Sequence, residues 1–410
     1  MKKSAKFDVV LFGASSFVGQ ILCAELFAQY GLKGSLRWAI AGRSKEKLEL
    51  LRASLGAKAK YLPLLLADAA DQPALRKLCA QSKVIVSTVG PYALYGEPLV
   101  KACAESGTDY CDLTGETQFI HRMLERYEAP AQSSGARIVP SCGFDSIPSD
   151  LGVHFLQAHA QQRYGAPCTK IQMRVRKLRG GFSGGTIGSI LNVVKEASGD
   201  AQLRRGLSDP YWLCPPSARK RVRQSELRFA RYDQAFKSWS APFIMSGINT
   251  RIVQRSHALS PHAGQSDLLY DEAMLTGAGF AGRLKASGIA AGLAGFLVAA
   301  AVPPARWLLQ TLVLPGPGAG PSPAAQLSGG YDLCFLGSTA NGQTLRAQVT
   351  GDRDPGYGST ARMLCQAASC LALDVPDRPG GFWTPASLFG EKLIARLQAH
   401  AGLRFQLQDQ

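Results

Sequence analysis

Phe7-Asp8-Val9-Val10-Leu11-Phe12-Gly13-Ala14-Ser15-Ser16-Phe17-Val18-Gly19 reads as a strand, a turn and the start of a helix, and this succession decides the fold. Phe7 to Phe12 is β-rich, and Gln20 to Tyr30 continues as an amphipathic helix ended by Gly31. Glycines at the first and last turn positions let a backbone approach a pyrophosphate and let the helix pack close to the sheet. The helix start offers free N–H groups and a positive dipole end to phosphates. Gly13, Ala14, Ser15, Ser16, Phe17, Val18 and Gly19 are therefore candidate cofactor contacts. Ser16 stands where the G-x-x-G-x-x-G form of this turn has its middle glycine.

Outward from that turn the alternation continues. A second strand, Leu36 to Ala41, leads into Gly42-Arg43-Ser44-Lys45. An NAD site commonly carries Asp or Glu near this strand end for the ribose 2′-hydroxyl. A guanidinium instead suits a 2′-phosphate, so Gly42, Arg43 and Ser44 point to NADP. Tyr61 to Ala67 is a third strand closing at Asp68, where the adenine edge is expected. Gln72 to Gln81 is helical, and Val84 to Val89 is a buried strand ending at Gly90-Pro91-Tyr92. That carboxyl edge is where doubly wound sheets bind ligands, which adds Thr88, Val89, Gly90 and Pro91 to the candidates. A helix from Gly96 to Gly107 and strands at Tyr110–Leu113 and Arg137–Pro140 complete a Rossmann-type parallel sheet.

At 410 residues the chain exceeds one ordinary core. The expected division is a nucleotide domain over 1–145 and an α+β domain with an extended sheet over 146–285 and 324–354. Residues 286–323 are an apolar helical segment with a Pro/Gly-rich linker, and 355–410 return toward the first domain. No apolar signal-peptide core precedes Phe7, so a cytoplasmic protein, peripheral at the inner face of the membrane, is expected. The ten cysteines form no CxxC pair and share no ligand spacing with the six histidines, so no metal is expected.

The net charge is +16, and residues 170–237 hold 15 Lys/Arg against 5 Asp/Glu, densest at Arg219-Lys220-Arg221-Val222-Arg223. Such a run is a solvated basic face, or it meets anionic lipid or an acidic carrier protein. No recognition helix or RNA-binding motif accompanies it, so no nucleic-acid partner is expected.

Hydride transfer needs an electrophilic carbon held against the nicotinamide and a group that offsets developing charge. Tyr92 and Tyr95 follow the fourth strand and are candidate proton donors whose phenols affect turnover more than nucleotide affinity; the alternative is aromatic packing in a loop. The polar stretch Ser141–Asp150 is the second candidate. Asp145 there is a catalytic candidate, Ser146 a contact to cofactor ribose or substrate, and Cys142 a pocket-lining residue. Asp145 or Asp150 otherwise caps a helix beginning near Leu151. Gly180-Gly181-Phe182-Ser183-Gly184-Gly185-Thr186 is either an anion site at a helix start or an interdomain turn.

Twenty residues from Ala286 to Ala305 carry no charge and end near Pro303-Pro304, before a second apolar stretch, Trp307–Leu314. Ala and Gly contribute little hydrophobicity and the prolines interrupt the run, so contact with a membrane surface or another subunit is expected rather than a full span. Gly288-x-x-x-Gly292 permits the close helix approach of a homodimer.

Across almost its whole length the chain resembles the saccharopine dehydrogenase-like oxidoreductases, and within them the trans-acting enoyl reductase family. The resemblance rests on Gly13–Gly19, Ala41–Ser44, Val89–Tyr92 with Tyr95–Pro98, Tyr110–Glu116, Cys142–Asp150, Ser183–Thr186, Asp354–Tyr357 with Thr360-Ala361, and Gly380-Gly381 with Thr384–Ala386. It implies an NADPH-dependent reductase of an enoyl group on a lipid-like or carrier-tethered chain. The broader group also includes amino-acid dehydrogenases that work through imines, and a non-catalytic NADP-binding, membrane-associated protein is the reading of a different class.

Overall fold

β1 (Phe7–Phe12) is buried along almost its whole length, as a strand covered on both faces of a parallel sheet must be. It lies in the interior of the first of two sheets in the computed structural model. The structure describes residues 5–181, 184–218, 222–261, 263, 267–312, 320–375 and 377–408. Phe182-Ser183, Arg219-Lys220-Arg221 and residues 313–319, all named above, lie outside the described residues.

β1 is flanked by β2 (Trp38–Gly42) and β4 (Ser82–Ser87). β3 (Leu64–Leu66) lies beyond β2; β5 (Asp109–Asp112) and β6 (Arg137–Val139) lie beyond β4. All of these pairs are parallel. The third strand is shorter than Tyr61–Ala67: a turn at Ala57–Ala59 carries into Tyr61, which is exposed, and pairing starts only after Pro63.

The second sheet has the order β14-β12-β11-β7-β10-β9-β8. Its strands are β7 (Cys168–Arg179), β8 (Arg231–Asp233), β9 (Ser238–Pro242), β10 (Leu269–Gly277), β11 (Gly330–Thr339), β12 (Thr344–Gly351) and β14 (Leu403–Gln408). Only β7 and β10 run parallel; the other pairings are antiparallel. Arg174 in the middle of β7 is buried and pairs with Asp233 of β8 at 2.6 Å and with Asp271 of the adjacent β10, so two carboxylates compensate its charge.

Residues 355–410 serve both sheets. The helix Thr360–Leu373 packs beside the helix Phe17–Tyr30 over β1, β4 and β5. β13 (Gly381–Phe382) extends the first sheet through Gly381↔Arg137 and Phe382↔Ile138, and β14 then joins the second. The fully buried Arg137 pairs with Asp109 and donates to the carbonyls of Leu371 and Val375, so the first core is completed by the end of the chain.

The apolar segment forms two helices, Gly279–Ala301 and Pro303–Leu312. The first begins seven residues before Ala286, because Arg283 and Lys285 belong to its exposed side and do not interrupt it. Small residues Gly282, Ala286 and Ala290 face inward, and the helix packs against β9 and β10. Pro303 opens the second helix, where a missing N–H costs nothing.

Candidate functional site

The glycine turn has the backbone that its residues demand. Gly13 sits at φ +84, and a Cβ there would lie 2.6 Å from Val89 Cγ2 and 2.9 Å from Thr88 Oγ1. At Gly19 a Cβ would lie 2.4 Å from the Gly13 carbonyl oxygen. Ser16 caps the helix Phe17–Tyr30: the Gly19 N–H donates to its Oγ at 3.0 Å, and that hydroxyl donates to Thr88 Oγ1 at 2.9 Å. The Thr88 hydroxyl in turn reaches the Gly13 carbonyl at 2.9 Å. The serine thus ties the turn to the end of β4, which a glycine there would leave undone. The N–H groups of Phe17 and Val18 have no acceptor among the described residues, and both residues line the cleft above. Two open donors at the start of a 14-residue helix, beside a turn closed to any side chain at Gly13, fit a dinucleotide pyrophosphate.

The loop after β2 places Arg43 in solvent with no ion pair among the described residues, while Lys45 pairs with Glu49 at 3.9 Å. Ser44 caps the helix Lys45–Ser54 through the Lys47 N–H at 3.3 Å. Asp68, exposed after β3, accepts the Ala70 N–H at 2.9 Å and shapes its own turn.

A cleft of about 960 Å³ runs from this turn across to the second sheet. Ser16, Thr88 and Pro91 line it from the nucleotide turn, and Ile190, Val193, Ile244, Met245, Ile248 and Leu297 give it an apolar wall. Gly184, Gly185 and Thr186, at the start of the helix Gly184–Gly199, form part of the wall, and the Gly184 N–H donates to the Tyr357 hydroxyl at 2.9 Å. Tyr357 stacks edge-on against Phe17, 4.9 Å between centroids. The Asp354–Thr360 segment is fixed by Asp354, which accepts from Tyr357 N and Gly358 N, and by Thr360, which accepts the Phe144 N–H at 3.0 Å.

Asp145 lines the cleft, partly exposed, with no hydrogen-bond partner among the described residues. Burial, reinforced by the nearby Asp112 charge, pushes its carboxyl up to about 7. A Cβ added at Gly115 would stand 3.7 Å from Asp145 Oδ2, so the absence of a side chain there leaves that oxygen uncovered. Tyr92 also lines the cleft, but its hydroxyl donates to the Ser87 carbonyl at 2.9 Å and accepts the Leu113 N–H at 3.4 Å. Burial and the Asp112 charge hold its phenol well above the usual range. Tyr95 is half-exposed at the end of the short helix Tyr92–Tyr95 and is absent from the cleft wall.

Cys142 and Ser146 lie beneath that wall. The Cys142 thiol donates to Val139 O at 3.4 Å, and the Ser146 hydroxyl donates to Asn249 at 3.2 Å. The helix that follows starts at Ile147, not near Leu151, with Pro148 in its first turn. Asp150 therefore lies inside it; its carboxyl accepts the Ala386 N–H at 2.8 Å, in the first turn of a different helix, Pro385–Phe389, whose cap is Thr384. Ser141, just before, holds a left-handed φ of +62, with its N–H on buried Asp112 at 3.0 Å.

Glu116 escapes sequence reasoning as a working residue. Its buried carboxylate accepts Tyr92 N at 2.7 Å, Ala93 N at 2.9 Å and the Ser189 hydroxyl at 2.8 Å, joining the nucleotide side to the helix Gly184–Gly199. The signal available was its place in the Tyr110–Glu116 motif; its partners are 23 to 73 residues away.

Comparison with known proteins agrees with this geometry. Residues 9–139 match the saccharopine dehydrogenase NADP-binding domain. A Mycobacterium tuberculosis (strain ATCC 25618 / H37Rv) protein provisionally named a trans-acting enoyl reductase is 40% identical over 98% of this chain and 97% of its own. A second protein of the same strain, named trans-acting enoyl reductase, is 38% identical over 96% of each chain. The solved apo saccharopine dehydrogenase (L-Glu forming) from Saccharomyces cerevisiae shares the fold, with a TM-score of 0.52 at 13% identity, covering 98% of this chain and 99% of that one. The chain belongs to the trans-acting enoyl reductase family of saccharopine dehydrogenase-like, NADP-dependent oxidoreductases.

Proposed function

We propose that the protein reduces the carbon–carbon double bond of an enoyl group on a lipid-like or carrier-tethered acyl chain. The observation that carries this reading is the unpartnered Asp145 carboxyl in a cleft whose far wall is apolar. NADPH, when bound, supplies the hydride. Gly13 to Gly19 would hold its pyrophosphate, and the exposed Arg43 with Ser44 would hold the 2′-phosphate. Asp145, substantially protonated near neutral pH, holds the proton destined for the α-carbon. One hydride and one proton saturate the bond, and solvent reprotonates the carboxylate. The apolar wall accepts the chain and keeps water from the reacting carbons. Asp145 suits this role better than the phenols, since the Tyr92 proton is committed to a carbonyl and Tyr95 stands outside.

The test is NADPH oxidation with an enoyl thioester across pH 5–9. Turnover is expected to fall as pH rises through about 7, because the donor must be protonated, and Asp145→Asn is expected to lose most of the rate while keeping NADPH affinity. Oxidation of an amino-acid conjugate without enoyl reduction overturns the reading in favour of a dehydrogenase. Tight NADP binding with no turnover on either class overturns it in favour of a binding protein.

A second contact has its own observation. The two apolar helices present Phe280, Leu284, Val298, Trp307 and Leu308 to solvent, and Leu297 and Thr311 from the same pair line the cleft. On this basis the pair rests on an anionic membrane surface without crossing it, bringing a cytoplasmic protein to its lipid substrate. Pairing with a second copy is the competing use of the same face.

A further inference from the structure

Among the described residues four arginines are buried: Arg137, Arg174, Arg251 and Arg255. Three meet a carboxylate, Arg137 on Asp109, Arg174 on Asp233 and Asp271, and Arg255 on Glu128. Arg251, 8% exposed, meets none. Its guanidinium donates to the carbonyls of Gly247 and Leu207, and its Nε–H has no acceptor. Two carbonyl dipoles occupy two of its five donors and neutralise none of its formal charge, and burial pulls its pKa down against the opposing charges of Glu226 and Asp209, neither of which pairs with it.

Its position gives the missing anion a place. Arg251 lines the apolar cleft, and it also lines a second cavity of about 900 Å³ on the other side. Leu207 and Gly247, which hold the guanidinium, line both as well. The second cavity adds Arg223 and Arg231, while Arg228 is paired with Glu226 at 2.9 Å. Of its other acids, Glu272 is spent on Tyr270 and Asn249, and Asp209 accepts the Tyr211 N–H at 2.8 Å. A ligand spanning the boundary therefore has an apolar half in the first cavity, an oxyanion at Arg251, and a polar, further anionic portion toward Arg223 and Arg231.

We propose that Arg251 is an anion-binding residue that grips a phosphate on the substrate's tether, with the acyl chain on the cleft side and the tether in the second cavity. This rests on the acyl-reduction reading above. Phosphate is favoured over carboxylate because the outer cations supply charge beyond what one carboxylate takes. The shared chemistry is that of a phosphopantetheine thioester, whether free as a coenzyme A ester or attached to a carrier protein.

The experiment measures binding of phosphopantetheine and of pantetheine, which differ only in the phosphate, to the NADPH-loaded protein by calorimetry. The phosphate is expected to tighten binding by about tenfold or more, the scale of a charge-assisted contact. Arg251→Met is expected to abolish that preference and Arg251→Lys to keep part of it, with NADPH affinity unchanged as evidence of folding. Equal wild-type affinities overturn the proposal, whatever the variants do, and so does a preference that survives in Arg251→Met. Coenzyme A and a phosphopantetheinylated carrier, titrated in the same way, tell the free source from the attached one. A protein that prefers the phosphate but reduces no enoyl thioester retains this site and loses the reductase reading.

Discussion

A guanidinium left in solvent after the second strand gives the nucleotide preference a direct check. Arg43 makes no ion pair among the described residues, so its charge is available to a 2′-phosphate. Arg43→Ala is expected to weaken NADPH by about 1–3 kcal/mol, the value of a charge-assisted contact, and to leave NADH unchanged in equilibrium titrations. Equal wild-type affinities for the two nucleotides would reject the assignment. Arg43 was legible because its chemistry is local: a strand end, a turn and a cation in sequence. The Ser16 position was legible as a departure from the glycine pattern but not as a cap, because the partner of its hydroxyl, Thr88, is 72 residues away. Glu116 and Arg251 were illegible for the same reason. Their meaning lies in backbone groups and cavities assembled from distant segments.

The strands and helices of the first 140 residues follow the apolar pattern closely, since the inner parallel strands β1, β2 and β4 are buried on both faces and read as continuous runs. Boundaries shifted where a proline or a cation intervened, as at Pro63 and Arg283. The apolar helix pair is the element whose role is still open to measurement. Gly279–Ala301 is long and apolar enough to cross a membrane, yet it lies along β9 and β10, with Phe280, Leu284 and Val298 exposed. Flotation with anionic and neutral liposomes, alongside sizing in solution, separates the two uses of that face. Salt-sensitive binding to anionic vesicles is the expected result. A constitutive dimer indifferent to vesicles would instead assign the face to self-association, and a soluble monomer indifferent to lipid would sink both.

On the scale of the whole molecule, the first sheet is not a separable unit. Arg137 donates hydrogen bonds to the carbonyls of Leu371 and Val375, and the helix Thr360–Leu373 covers β1, β4 and β5. A fragment of residues 1–145 is therefore expected to show no cooperative thermal transition and no NADPH binding, despite containing the entire nucleotide turn. A sharp transition with full-length affinity would refute this. The return of the chain has a mechanical consequence as well. It passes from the first sheet to the second before β7, comes back at Asp354–Thr360, and leaves again between β13 and β14. Two lobes joined by one strap can swing apart like the covers of a book, but lobes stitched three times resist that motion.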